Sequence, residues 1–182
     1  MPRLVQFINY RLEDAMPASL RNEWTTLLKI DDDLKRRLAI KRYLDRGRGG
    51  CLLRDHRAAA LVEENWLRFD GQSYRLLAWV VMPNHVHLLV EIWQMPQSKL
   101  IKDWKGFTAR SINRLLGRHG QPWQQDYWDR YIRDEKHYRK VRDYIEWNPV
   151  KAGLVKWPEQ WPFSSARFRN EYNQLQLPPS GA

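Results

Sequence analysis

Two runs rich in β-branched and aromatic residues, 73 to 81 and 85 to 92, are separated only by Met82-Pro83-Asn84, and this constrains the fold more than any other feature. A Pro-Asn turn between apolar runs of strand length specifies a β-hairpin. So apolar a hairpin has to be covered, and the pattern predicts it at the centre of a sheet. Side chains alternate along a strand, so His85 and His87 project from one face, about 6–7 Å apart, while Val86, Leu88 and Val90 point to the other and pack on helices. An imidazole in such surroundings must find a partner or lose free energy. A metal ion held between the two histidines meets that need; the plainer alternative is a chance His-x-His pair on a solvated face.

The flanking sequence supplies the rest of the architecture. Residues 4 to 11 read as a first strand closed by a turn at Asp14 to Pro17, and 19 to 29 and 32 to 46 have helical composition. Asp55 caps a helix over 56 to 68. A helix over 97 to 117 repeats Ile101, Trp104, Thr108, Ile112 and Leu115 at three- and four-residue spacing and ends at Gly117 or Gly120. Residues 123 to 133 read as a fourth strand, after which Asp134 caps a helix running to Asn148, where Pro149 stops it. The order is βαββαβ with an extra C-terminal helix, an α+β ferredoxin-like domain on a four-stranded antiparallel sheet. It is read as one domain over 1–170, with a mobile tail over 171–182.

Thirty-one Lys and Arg against 21 Asp and Glu give a net charge of +10 and a pI near 9.9, which makes a polyanion the expected partner. No run of about 18 apolar residues exists to span a membrane, and the first residues lack a signal-peptide pattern, so the expected location is the cytoplasm. Cys51 is the single cysteine; it excludes an intrachain disulfide and a cysteine zinc cluster, and beside Leu52 and Leu53 it reads as structural. Lys102, Lys105, Arg36, Arg37 and Arg42 are candidates for neutralising phosphates. Trp128 and Trp104 are candidate stacking rings, with core packing the simpler reading.

On the last helix, at about 100° per residue, Tyr138, Val141 and Ile145 form an apolar seam, and His137, Tyr144 and Asn148 cluster on its flank. Asn148, before Pro149, is expected at a helix terminus, where its amide oxygen can act as a hard ligand beside two imidazoles. A tyrosine hydroxyl with a pKa near 10 is a poor nucleophile at neutral pH, so a cation that polarises a phosphate is what it needs. Read alone, Tyr144 is more simply a half-buried structural phenol.

Four segments carry a resemblance: Tyr43 to Cys51, Ala78 to Val90 with its Met-Pro-Asn-His-Val-His core, Tyr127 to Asp134, and Asp143 to Val155 with Asp-Tyr-Ile-Glu-Trp-Asn-Pro. In this order they resemble the REP-associated tyrosine transposases, relatives of the single-tyrosine HUH transposases of small bacterial insertion sequences, and the likeness extends from about residue 4 to Arg169. Trp147 departs from the pattern, where a polar residue is expected. The resemblance implies that His85, His87 and Asn148 hold Mg²⁺ or Mn²⁺ and that Tyr144 is the nucleophile. It also implies a single-stranded or hairpin DNA substrate derived from repetitive palindromes, with a 5′-phosphotyrosine intermediate. His137 joins the candidate DNA contacts, and either a monomer or a homodimer is compatible. Two other readings are a non-catalytic nucleic-acid-binding module of ferredoxin-like fold and a metal nuclease that uses water.

Overall fold

The computed structural model describes residues 4–15, 26, 29–47 and 49–177. Four strands, β1 (Leu4–Arg11), β2 (Tyr74–Val81), β3 (His85–Ile92) and β4 (Trp128–Tyr131), form one sheet in the order β2-β3-β1-β4. Every neighbouring pair is antiparallel. Helices α1 (Asp33–Asp45) and α2 (His56–Arg68) connect β1 to β2, α3 (Gln97–Leu116) connects β3 to β4, and α4 (Glu135–Glu146) follows β4. This is the expected α+β, ferredoxin-like arrangement. Among the described residues, no helix is long and apolar enough to cross a membrane.

Strand alternation divides the interior into two cores. Val86, Leu88 and Val90 of β3, with Ile8 and Trp79, pack beneath α2 and α3 around Val62, Trp66, Ile101 and Trp104. The opposite face, with Phe7, Ala78, Val80 and Leu89, is covered by Ile145 of α4 and by Ile132. Burying each of these large side chains contributes roughly 1.5–3 kcal/mol. A register shift between Leu76 and Ala78 leaves Leu77 as a bulge in β2. The bulge lets Leu76 and Trp79, three residues apart, face the same core.

Several expectations need correction. The helix expected over 19–29 falls largely outside the described residues. β3 is an inner strand, but β2 lies at the sheet edge, because an apolar run reports burial without saying what covers it. The C-terminal segment provides that cover: Val81 N–H donates to Phe163 O at 2.9 Å, Trp79 N–H to Ser165 Oγ at 3.0 Å, and Trp161 Nε1–H to Val81 O at 2.9 Å. The strand read over 123–133 shrinks to Trp128–Tyr131, with Trp123 making only an isolated bridge to Leu12. Pro149 does not stop the chain. It lacks only an N–H that a first helical turn leaves unused, so a new short helix, α5 (Asn148–Lys151), begins there. Finally, the tail expected from 171 is docked as far as residue 177. Gln176 N–H donates to Phe168 O at 2.8 Å, and Leu175 and Leu177 pack on the first core; residues 178–182 lie outside the described residues.

Candidate active site

His85 and His87 share the α4 face of β3, and both are buried. Their ring centroids are 4.8 Å apart with planes at 80°. The hairpin turn orients the first ring. Asn84 Nδ2 donates to Leu44 O at 3.0 Å, at the C-terminal end of α1, which turns its Oδ1 toward His85 Nδ1 at 2.7 Å. An amide oxygen can only accept, so Nδ1 carries the proton and Nε2 keeps its lone pair. His87 is held by rings instead: it stacks on Phe7 of β1 at 5.6 Å and 23° and meets Tyr144 edge-on at 5.3 Å.

Tyr144 reaches this place because α4 lies across the sheet. Asp134 caps the helix by accepting from His137 N–H at 2.7 Å, and Tyr138, Val141, Tyr144 and Ile145 face the second core. Two residues after the tyrosine, Glu146 is buried and ties the helix down. It accepts from Ser165 Oγ at 2.6 Å and pairs with Arg169 at 2.8 Å, whose Nη2 also donates to the bulged Leu77 O at 2.7 Å. On the other side of β2, Arg167 pairs with Glu63 of α2 at 2.7 Å. Residues 161–169 therefore cross the sheet edge as a strap fastened to a helix on each face.

Asn148, one turn beyond Tyr144, is fully buried. Both of its side-chain polar atoms lack a hydrogen-bond partner, as do both ring nitrogens of His87. Buried groups are seldom left so, and each instance calls for an explanation. Among the described residues, no three His, Cys, Asp or Glu side chains cluster as metal ligands, so a third ligand here has to be of another type. Two imidazoles and an amide oxygen fit a divalent cation such as Mn²⁺ or Mg²⁺.

The electrostatics agree with that donor set. Burial first, then Lys41 and Arg11, hold His85 down at about 3. Burial, then His85 and Lys41, hold His87 well below its usual value. Both rings are therefore neutral near pH 7 and available as ligands. Burial first, then Asp45, raise the Tyr144 phenol. Lys41 Nζ stands 4.8 Å from the Tyr144 ring centroid and 3.7 Å from Asp45, and Lys151 Nζ stands 5.8 Å from the same ring.

The remaining candidates scatter. Lys102 is exposed on α3. Lys105 turns inward and donates to Gln124, Gln125 and Asp126 O at 2.9, 3.1 and 2.9 Å, so its ammonium staples a loop instead of facing a phosphate. Arg42 is exposed, Arg36 donates to Ile30 O at 3.1 Å, and the Arg37 side chain lies outside the described residues. His137 sits in the first turn of α4 and accepts from Arg133 N–H at 3.3 Å, roughly 10 Å along the helix from Tyr144 at about 1.5 Å per residue. Trp104 belongs to the core, Trp128 stands edge-on to Phe7 at 5.4 Å, and Trp147 is 40% exposed. Cys51 is buried and donates to Gly47 O at 2.9 Å. Sequence reasoning missed Asn84, Phe7, Lys41, Asp45 and Glu146. Only Asn84, next to His85 in a turn, carried a local signal.

A protein-family model described as "Transposase IS200 like" matches residues 62–148, a span that contains both histidines, Tyr144 and Asn148. The "REP-associated tyrosine transposase" of Escherichia coli (strain K12) is 36% identical over 96 residues, covering 52% of this chain and 55% of that protein. A Haemophilus influenzae relative is 30% identical over 110 residues, covering 53% and 61%. The chain thus matches a little over half the length of these curated relatives. A solved structure described as a REP-associated tyrosine transposase bound to a REP hairpin superimposes with a TM-score of 0.54 and 21% identity, over 98% of this chain and 88% of that one. It bears out the fold.

Proposed function

We propose that this chain, a relative of the REP-associated tyrosine transposases, cuts and rejoins single-stranded DNA beside a hairpin, with Tyr144 as nucleophile. The observation that carries the reading is the ring contact between Tyr144 and His87, a buried histidine whose two nitrogens have no protein partner. A structural core has no use for that arrangement, whereas a site that must receive a ligand needs it. The likeness to a structure with a REP hairpin bound supports hairpin DNA as the substrate class.

His85, His87 and Asn148 would hold Mg²⁺ or Mn²⁺, which when bound supplies Lewis-acid polarisation of the target phosphate. The Tyr144 oxygen attacks phosphorus and loses its proton; the bond from phosphorus to the 3′-oxygen breaks, and that oxygen leaves as a hydroxyl. The product is a 5′-phosphotyrosine with a free 3′-end. Because the ester energy is retained, a second 3′-hydroxyl can reverse the step on a new partner. Lys41 and Lys151, flanking the phenol, place positive charge where phosphate charge accumulates. Phe7 and the strap hold the nucleophile and His87 in one geometry.

The test is covalent capture. With Mn²⁺ and end-labelled hairpin DNA carrying single-stranded flanks, the protein should form an adduct stable to denaturant, and Tyr144→Phe should form none. Cleavage that persists in Tyr144→Phe would instead identify a nuclease that uses water.

A further inference from the structure

A second concave site lies on the opposite face of the sheet. A cavity of about 510 Å³ opens between the end of α2, the start of β2 and the outer face of α3, within the size range of ligand sites. It lies beyond the other end of β3 from His85, and seven residue steps of about 3.3 Å put roughly 23 Å between those ends. It is therefore separate from the site of Tyr144.

Its lining is built unlike the rest of the α3 surface. Phe69 and Phe107 are 42% and 39% exposed, two of the largest apolar side chains on the surface, and both border the cavity. At its wall Asn65 is 5% exposed, and its Nδ2 has no hydrogen-bond partner. Lys102, Gly106 and Arg110 follow at four-residue spacing along the rim, and no carboxylate pairs with either cation among the described residues. The rim acid Asp103 is engaged by Lys99 at 2.6 Å. Gly106 sits in mid-helix, where glycine costs about 1 kcal/mol relative to alanine. A Cβ there would meet only Arg110 Nη1, at 3.5 Å. Packing does not require the glycine, and its effect is a notch open to a ligand.

Flat apolar rings, a buried amide donor and two free cations together match one chemistry, a nucleotide. Resting on the reading of the chain as DNA-binding, we propose that this cavity holds an unpaired nucleotide of the bound DNA, its base against Phe69 and Phe107 and its phosphate at Lys102 and Arg110. Asn65 Nδ2–H donates to an acceptor on the base edge. All four bases offer one, so the site selects for an unstacked nucleotide more than for a sequence. The chain then grips DNA at two places, and the second lies away from the scissile phosphate.

The test uses the full chain carrying Tyr144→Phe, so that binding is measured without covalent chemistry. The probe is a fluorescent hairpin with oligothymidine flanks, in which 5-iododeoxyuridine replaces thymidine for photocrosslinking. Phe107→Ala, and separately Gly106→Leu, which fills the notch while favouring the helix, should each weaken binding about tenfold, the range of one stacked base. Unaltered melting temperatures show that the variants are folded. Crosslinked peptides should include Phe69 or Phe107. Unchanged affinity in both variants, or crosslinks confined to other segments, overturns the inference. So does saturable binding of thymidine monophosphate that leaves hairpin affinity untouched, because the cavity would then be a small-molecule site. The adduct assay on the unmutated chain is independent: an adduct with unchanged variant affinities defeats the second site alone, and weakened variants with no adduct defeat the nicking reading alone.

Discussion

The carboxylate of Glu146 and the guanidinium of Arg169 meet 2.8 Å apart, with side chains only 8% and 10% exposed. Removing one member of such a pair strands a charge in the interior and costs about 3–5 kcal/mol. Arg169→Met should therefore lower the melting temperature by roughly 6–20 °C for a chain of this size. Glu146→Gln combined with Arg169→Met should recover part of the loss, because neither charge is then left unpaired. A double variant no more stable than Arg169→Met alone would show that the pair is not what holds α4. Calorimetry or circular dichroism reads the result.

His87 predicts a conflict between stability and function. With both nitrogens unpartnered, the ring bears a desolvation cost of about 1–3 kcal/mol in the absence of a ligand. His87→Leu should leave the metal-free protein as stable as the parent or more so. The same substitution should abolish the rise in melting temperature that Mn²⁺ gives the parent, together with the DNA adduct. Loss of stability in the metal-free variant would mean that the ring has a structural partner.

Tyr144 meets His87 of its own chain, and the strap fastens α4 to its own sheet. Mixing His87→Ala with Tyr144→Phe protein should consequently yield no covalent adduct. Recovery of adduct in the mixture would demonstrate that α4 is exchanged between two chains.

Alkaline stability follows from Tyr10 and Tyr74, whose phenols burial raises above their usual value of 10.0. The folded chain keeps both protons where the unfolded chain sheds them. The stability they contribute is complete below pH 10 and is lost as pH rises, by about 1.4 kcal/mol per pH unit for each. Lys105 works in the other sense. Burial holds it at about 8 against 10.5, so its contribution grows from pH 8 to 10.5 and then levels off. Urea midpoints should therefore fall most clearly above pH 10.5. Tyr10→Phe should make that fall shallower.

Lys105 and Lys102 should separate cleanly. Lys105→Met removes three hydrogen bonds to the 124–126 loop and should cost about 1.5–3 kcal/mol of stability. Lys102→Ala should leave stability within about 0.5 kcal/mol and reduce the salt dependence of DNA binding by about one phosphate contact. Equal melting temperatures for the two variants would contradict the staple.

Local rules explain what could be read without coordinates. Alternation in β3 puts His85 and His87 on one face, and helix phase puts Asn148 one turn from Tyr144, because each depends only on residues near in sequence. The environment of those groups follows from long-range register. Phe7 reaches His87 only because Asn9 pairs with His87 across β1 and β3. Lys41 reaches Tyr144 only through the path of α1. The inward turn of Lys105 was hidden for the same reason, since composition reports a charge without its neighbours, and the 124–126 carbonyls that capture it are some twenty residues away.

The strap has a consequence for how the chain comes into being. β2 is made some eighty residues before Phe163 and Ser165, which occupy its outer edge, and α4 is made before Arg169, which fastens it. During synthesis a strand as apolar as Tyr-Arg-Leu-Leu-Ala-Trp-Val-Val therefore keeps an open edge able to pair with a neighbouring nascent chain. A stop codon placed after residue 160 would make that exposure permanent. The product would retain both histidines and the tyrosine, yet it should accumulate as aggregate, because a segment made after β2 and α4 is what closes the sheet.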